Sequence, residues 1–373
     1  MPFGEFLSEF KALLLRDAST SQEAEARAKR ALDYVFGTSR AQLDTFCPTQ
    51  EETRDFVDYL LSAINQENKA LSPDRRTALS KVLEYNEAPG KTYFEGIDPH
   101  VFAFQLALRV REPSLLNQAE VGICGENSLM IFFAKKSPSE FADYAISIMR
   151  AGSGNFHGLI VKPSTETFWG TSPWESSKGK LAEVDFVTIG SLARSIFGDI
   201  KEGTTPEEVC ALLSKAGFLN TQDMIDQREA FSGSADSIRN LKDAAEAVKA
   251  NKIVILGVHA EFIPGLRALK TFYARNWGRP QLRRGSGKKW DEWGMEGPIE
   301  AKLLVQKRKA GPRERRHWIL VTYLEATQTH VTIKLYSWQN PLHAMFELET
   351  FLSYYEGYVA ADPPPRKPKI VVQ

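Results

Sequence analysis

The sequence predicts an α+β protein in which a mainly helical half precedes a mainly antiparallel sheet. The evidence is the spacing of the apolar residues, which changes along the chain from the helical period of 3.6 to the strand period of 2. Three stretches in the second half are short, apolar and rich in β-branched residues or alternating. A short polar connector joins the last two, which predicts that they pair antiparallel. The predicted strands are residues 252–258, 316–323 and 331–338.

Helices are predicted where apolar residues recur every three to four positions after a helix start signal. The clearest start is Thr205, which is expected to cap a helix that has Pro206 in its first turn. Glu208 lies three residues after Thr205 and completes a capping box. The predicted helices include residues 22–36, 51–66, 125–136, 138–152 and 205–216.

The chain divides into an N-terminal helical region and a larger mixed domain. A Pro-Gly break at residues 87–91 predicts the boundary, so that residues 1–88 form the helical region and residues 89–373 form the α+β domain. Residues 263–315 are predicted to be a basic insertion between two core strands. Residues 267–316 hold fifteen Lys and Arg against five Asp and Glu. Two interpretations stay open: a rim or lid over a binding cleft, or a solvated loop with a hairpin.

Composition excludes several functional classes. The formal net charge is zero, so no overall field selects nucleic acid or a membrane, and no nucleic-acid-binding module is recognisable. No stretch of about 18 apolar residues is present, and the N-terminus lacks the basic flank and apolar core of a secretory signal. The three cysteines have neither the spacing of a disulfide framework nor that of metal ligands. We therefore expect a chain made in the cytoplasm, where free thiols persist.

One cysteine stands where a helix is expected to begin. Cys124 directly precedes the apolar pattern of residues 125–136, so its thiol is predicted to lie at the positive end of that helix. Unpaired N–H groups and the helix dipole stabilise a thiolate there. Gln118 lies six residues upstream and has a carboxamide N–H to donate to an oxyanion. A nucleophile beside a hydrogen-bond donor is the minimum that acyl-transfer chemistry requires.

A base for this cysteine is predicted in the second half of the chain. His317 opens the strand predicted at residues 316–323, and we expect it at the edge of the sheet with its imidazole facing Cys124. His259 follows the preceding strand and is the rival base, although a histidine at a strand end is also expected to cap a loop. A cysteine on a helix that faces a histidine on a sheet is the arrangement of nucleophilic cysteine catalysis.

Together these residues resemble the papain-like cysteine peptidase superfamily. In that superfamily the oxyanion glutamine precedes the nucleophile by six residues, as Gln118 precedes Cys124, and the catalytic histidine opens a strand, as His317 does. Gly122 and Ser128 also stand where papain has a glycine and a serine. The order of two helices, a buried strand and a His-Trp strand in the second half is similar to the bacteriocin-processing branch of the superfamily.

The sequence departs from the superfamily at the third member of the catalytic triad. The superfamily places Asn or Asp after the strand that follows the histidine, whereas this chain reads Tyr336-Ser337-Trp338-Gln339-Asn340. Alignment on the Ser-Trp pair puts Tyr336 in that place, and alignment on the tyrosine puts Ser337 there. We predict that Ser337 orients the imidazole, with Asn340 and Gln339 as alternatives. A neutral residue can fix the tautomer but stabilises an imidazolium less than a carboxylate does.

The resemblance implies a papain-like fold, with a helical lobe carrying Cys124 and an antiparallel sheet carrying His317. It implies a thiol protease or related hydrolase that cleaves an amide bond in a protein or peptide without a cofactor. A protein deamidase or transglutaminase uses the same constellation, and a catalytically inactive binding module is the alternative from another class. The chain also resembles bacterial effector or toxin peptidases. This implies export by a specialised secretion system without a signal peptide, and an immunity protein or secretion chaperone as a partner.

Overall fold

The computed structural model describes residues 72–118, 122–163, 181–198, 203–225, 235–262, 299–300, 307–308, 316–337 and 340–365. This part of the chain consists of helices and a largely antiparallel sheet, which confirms the α+β class at that level. The helices predicted at residues 22–36 and 51–66 lie outside the described residues, as does most of the predicted basic insertion. None of the described helices is long and apolar enough to cross a lipid bilayer.

The helices begin where the local signals indicate. The predicted capping box is confirmed: Thr205 Oγ1 accepts from the Glu208 N–H at 3.2 Å, and Glu208 Oε2 accepts from the Thr205 N–H at 2.9 Å. The helices predicted at residues 125–136 and 138–152 are also present. In chain order the helices are α1 Pro73–Glu87, α2 Pro99–Arg111, α3 Cys124–Lys136, α4 Pro138–Ala151, α5 (the consecutive segments Glu183–Asp185, Phe186–Gly190 and Ser191–Phe197, the middle one a π-helix), α6 Pro206–Lys215, α7 Ala235–Lys249 and α8 Leu348–Leu352.

The strands form a hairpin and, within the described residues, a seven-stranded sheet. Strands β1 and β2 form the hairpin, and the larger sheet has the order β3-β9-β4-β6-β7-β8-β5. Its neighbours are antiparallel except for β5 and β8. The predicted antiparallel pairing of residues 316–323 with 331–338 is therefore confirmed. The strands are β1 Gly154–Phe156, β2 Leu159–Val161, β3 Leu219–Asp223, β4 Ile253–His259, β5 Ile299–Glu300, β6 Arg316–Ala326, β7 His330–Ser337, β8 Asn340–Glu347 and β9 Tyr355–Asp362.

The sheet order corrects one expectation about His317. We expected this histidine at the edge of the sheet, but β6 is the fourth of the seven strands, so His317 lies at one end of a central strand. The reason is that β6 pairs with β4 on one side and with β7 on the other. Beyond β4 the sheet continues with β9, which lies between β4 and β3. Strand β9 is buried along almost its whole length and has no polar alternation, so the sequence pattern does not predict it.

Alternate residues of the sheet belong to two separate hydrophobic clusters. On β6, Trp318 and Leu320 belong to the first cluster, with helices α1 to α6, whereas Ile319 and Val321 belong to the second, with α7 and α8. This alternation follows from the strand period of two. The sheet is therefore covered by helices on both faces. Helix α3, which begins with Cys124, lies on the face of the Trp318 side chain.

Helix α1 lies before the predicted domain boundary at residue 88. Its apolar residues Leu79, Val82 and Tyr85 belong to the first hydrophobic cluster, together with the helix of Cys124. This helix therefore contributes to the same core as the helices beyond the boundary. The arrangement of residues 1–71, which make up most of the predicted N-terminal region, stays a prediction.

Candidate active site

Cys124 is the first residue of α3, and its thiol lies where three backbone N–H groups converge. They belong to Trp318 on β6 and to Cys124 and Gly125 in the first turn of the helix. Helix α3 starts without a side-chain cap from Ile123, so its first N–H groups are available to the sulfur. Only 4% of the Cys124 surface is exposed. The structure thus brings the first turn of α3 next to the first residues of β6, the strand that begins with Arg316 and His317.

Burial controls the protonation of this thiol. It raises the pKa of Cys124 from 9.0 to about 12. The Trp318 N–H opposes this shift, the Glu126 carboxylate adds to it, and the N–H groups of Cys124 and Gly125 oppose it. Since burial outweighs the donors, the resting thiol carries its proton at neutral pH. A thiolate therefore forms only when a base takes that proton.

His317 lies beside the thiol through its backbone. The peptide bond that joins His317 to Trp318 provides the strand N–H that points at Cys124. The His317 Cα pairs with that of Val258, and strand alternation places the His317 side chain on the face of Val258 and Ile319, opposite to the Trp318 side chain. The N–H groups that lower the pKa of the thiol belong to Trp318, Cys124 and Gly125. The predicted pair therefore requires the imidazole to reach the sulfur around the end of the strand.

Gln118, the predicted oxyanion donor, is buried. The residue before it, Asn117, gives its backbone N–H to the Asp185 carboxylate. Asp185 is in turn bonded to Arg109 through two hydrogen bonds. This buried ion pair anchors the segment in which Gln118 stands. The contact of Gln118 with an oxyanion stays a prediction.

The candidates for the third triad position lie at the end of the β7–β8 hairpin. Ser337 and Asn340 are the last pair of these two strands. Because Tyr336 pairs with Leu320, Ser337 lies one residue further toward the end of β6 where His317 stands. The side chains of Ser337 and Asn340 lie outside the described part of the structure, as does the whole of Gln339. Their contact with the imidazole stays a prediction.

The hydroxyl of Tyr336, the residue that the Ser-Trp alignment puts at the third triad position, contacts the helix of Cys124. This hydroxyl accepts a hydrogen bond from Lys135 Nζ at 2.7 Å, and the same ammonium lies 4.9 Å from the centre of the tyrosine ring. Lys135 is in the last turn of α3, about 16 Å along the helix axis from Cys124 at the usual rise per residue. The Tyr336 hydroxyl is thus bonded to the C-terminal turn of α3, and its place in the triad stays a prediction.

The rival base, His259, ends β4. Its Nδ1 accepts from the Glu261 N–H at 3.1 Å, which is the loop-capping contact expected of a histidine at a strand end. Its Cα pairs with that of Arg316, and strand alternation puts its side chain on the Trp318 face of the sheet. His259 therefore lies on the same face as Cys124, but one of its two ring nitrogens is used by its own turn.

A buried carboxylate that the sequence pattern does not predict lies two residues after Cys124. Glu126 is 2% exposed, and its Oε2 accepts from Thr204 Oγ1 at 2.9 Å. Burial raises the pKa of Glu126 from 4.5 to about 7, against the effect of its own N–H and of the Thr204 hydroxyl. A glutamate in the first turn of a helix is typically an exposed partner of the helix dipole. Nothing in the local sequence therefore indicates its burial.

Replacing Glu126 by glutamine is expected to stabilise the protein by about 3 kcal/mol at pH 8 and by less than about 1 kcal/mol at pH 5. The folded-state pKa is raised, so the stabilisation by the protonated carboxyl is complete below 4.5 and is lost as the pH rises through about 7. Glutamine stays neutral, and its carbonyl oxygen can still accept from Thr204. Urea denaturation at each pH measures the free energy of unfolding. A gain of equal size at both pH values would contradict a titrating carboxylate.

No group of three or more His, Cys, Asp or Glu side chains within the described ranges is arranged to hold a metal ion. Comparisons of the chain with protein-family models, with curated proteins and with solved structures find no match. The resemblance to the papain-like superfamily therefore rests on the motif residues and on the order of elements within this chain.

Proposed function

We propose that this chain is a papain-like cysteine hydrolase that cleaves an amide bond in a protein or peptide through Cys124 and His317. The observation that carries the proposal is the position of the Cys124 thiol, at a helix N-terminus and beside the peptide that joins His317 to Trp318. Helix and strand N–H groups supply partial positive charge to a sulfur that becomes a thiolate. The nucleophile thus lies close to the backbone of the proposed base, although the two are far apart in the chain.

The reaction begins with a proton transfer, because the resting thiol is neutral. His317 takes the proton of Cys124, and the thiolate attacks the carbonyl carbon of the substrate amide. The carbonyl oxygen becomes an oxyanion, which the Gln118 carboxamide and the Cys124 N–H stabilise. Collapse of this intermediate breaks the C–N bond, and the imidazolium protonates the leaving amine. Water then hydrolyses the thioester, while Ser337, or Asn340 in its place, orients the imidazole.

Labelling with a peptidyl epoxide tests this proposal. The epoxide mimics an amide substrate, and its opening requires a thiolate and a proton donor in the site. We expect it to modify Cys124 at least about 100-fold faster than Cys210. Cys210 on α6 is an internal control, because its half-buried thiol has a pKa raised by burial to about 11. Mass spectrometry of peptides after timed quenching measures both rates. Labelling of Cys124 no faster than that of Cys210 would overturn the proposal.

The amide that is attacked and the acyl acceptor together distinguish the peptidase from related enzymes with the same site. Transfer to water after attack on a backbone amide gives peptide cleavage, attack on a glutamine side chain gives deamidation, and transfer to a lysine gives a crosslink. The effector resemblance favours a target in the cytosol of another cell. Proteomics of host cells that produce the parent chain or the Cys124→Ala variant would show which of these three products depends on the thiol.

A catalytically inactive binding module of the same fold is the second candidate. It is favoured by the burial that raises the pKa of Cys124 and by the neutral residues at the third triad position. In that case the cysteine is a core residue, as buried thiols often are. The epoxide experiment distinguishes the two candidates, since a core thiol reacts no faster than the control cysteine.

A further inference from the structure

The loop before α6 connects the helix of Cys124 to the strand of His317 through one residue. Thr204 Oγ1 donates to Glu126 Oε2 on α3 at 2.9 Å. The Thr204 carbonyl oxygen accepts from the indole Nε1 of Trp318 on β6 at 2.7 Å. Thr204 is buried, so its two hydrogen bonds are shielded from water. Its side chain therefore holds the helix while its backbone holds the strand.

The same loop packs directly on the first turn of α3. A Cβ atom on Gly125 would lie 3.3 Å from Thr204 Cγ2 in the loop and 3.0 Å from Val209 Cγ2 on α6, so these neighbours would have to shift to admit a side chain at this position. The Gly203 N–H also donates to the Gly122 carbonyl at 3.2 Å. The start of α3 is therefore held by apolar contact and by hydrogen bonds to the same loop.

These contacts close a ring that includes the reactive sulfur. The Cys124 thiol accepts from the Trp318 N–H, the Trp318 indole donates to Thr204, and Thr204 donates to Glu126, which follows Cys124 in the first turn of α3. Loss of the Thr204 hydroxyl opens this ring at Glu126 and loosens the position of the helix start relative to the strand, although the Gly203–Gly122 hydrogen bond remains. Catalysis is sensitive to such movement, because a misplacement of about 1 Å can cost about 100-fold in rate.

We propose that Thr204 is a positioning residue that sets the place of the Cys124 thiol relative to the His317–Trp318 peptide. This inference rests on the proposed hydrolase function. The proposal predicts different effects on two reactions of Cys124. Loss of the Thr204 hydroxyl slows modification by a substrate-like epoxide, which needs the assembled site, but does not slow alkylation by iodoacetamide, which needs only the thiol.

The test compares three variants by the rates at which a peptidyl epoxide and iodoacetamide modify Cys124. Thr204→Val keeps the shape of the side chain and removes the hydroxyl, and it is expected to lower the epoxide rate by about tenfold to a hundredfold relative to the iodoacetamide rate. Thr204→Ser restores the hydroxyl and is expected to restore the ratio. Thr205→Val makes the same chemical change one residue later. It breaks the capping box of α6 but not the links to Glu126 and Trp318, so the parent ratio is expected.

A second readout does not depend on the reaction. The Thr204 hydroxyl lowers the pKa of Glu126, so Thr204→Val is expected to extend the fall of stability with pH to a higher pH than in the parent. Thr205→Val keeps this hydrogen bond and is expected to extend the fall less. An epoxide ratio that is equal in the parent and in Thr204→Val, or lowered equally in Thr205→Val, overturns the positioning role alone. Failure of the epoxide to label Cys124 in the parent protein overturns the hydrolase and the positioning role with it.

Discussion

Replacing Arg109 by methionine is expected to destabilise the protein by about 3–5 kcal/mol. The side chains of Arg109 and Asp185 are both fully buried, and Nε and Nη2 of the arginine donate to the two carboxylate oxygens at 3.2 and 2.8 Å. Burial raises the pKa of Asp185, and the adjacent guanidinium opposes that shift. Methionine fills a similar volume but leaves the carboxylate buried without its cation. Urea denaturation of the parent and the variant measures the loss.

Two further variants separate this effect from a general sensitivity to lost charge. Arg109→Met combined with Asp185→Leu removes both charges and is expected to recover most of the stability, because no unpaired ion is left in the core. Lys249→Met removes the exposed partner of Glu246 on α7 and is expected to cause no measurable change. The loss in Arg109→Met is also expected to be smaller at pH 5 than at pH 8, since a protonated Asp185 needs no cation. A double variant as unstable as the single one would contradict this account.

His317→Ala is expected to lower the rate at which a peptidyl epoxide modifies Cys124 by about 10²–10⁴-fold. The thiol has a pKa raised by burial to about 12, so almost no thiolate exists at neutral pH without a base. His317 is the histidine whose backbone adjoins the sulfur, through the peptide that it shares with Trp318. In the proposed mechanism this imidazole takes the proton of the thiol, so its removal is expected to slow formation of the thiolate. The second-order rate constant of epoxide labelling from pH 5 to pH 9 measures the effect.

His259→Ala is the matched control for that measurement. His259 lies on the Trp318 face of the sheet, but its Nδ1 accepts from Glu261 within its own turn, so we expect the rate constant of the parent. If the rate constant falls strongly in His259→Ala and stays at the parent value in His317→Ala, the base is His259 on β4 and not His317. The pH profile supplies independent evidence, because an imidazole base gives a rate that rises through the pKa range of histidine and then levels off.

Several elements could be predicted because their determinants lie within a few residues of each other. The capping box of Thr205 and Glu208 needs only a spacing of three, and the start of α3 at Cys124 follows from the apolar period of the next dozen residues. The pairing of β6 with β7 follows from a short polar connector. Strand β9 could not be predicted in the same way, because burial on both faces leaves no alternation to recognise.

The sequence by itself determined the α+β class, most of the predicted helices and strands within the described residues, and a cysteine at a helix start, since these depend on local spacing. The tertiary structure alone decided which polar groups are buried and what they meet. It placed Glu126 against Thr204 and Arg109 against Asp185, pairs whose members are more than 70 positions apart. It also turned a backbone N–H of β6 toward Cys124 and raised the pKa of that thiol. Desolvation and long-range pairing depend on the packed neighbours of a residue, and those neighbours have no fixed spacing in the chain.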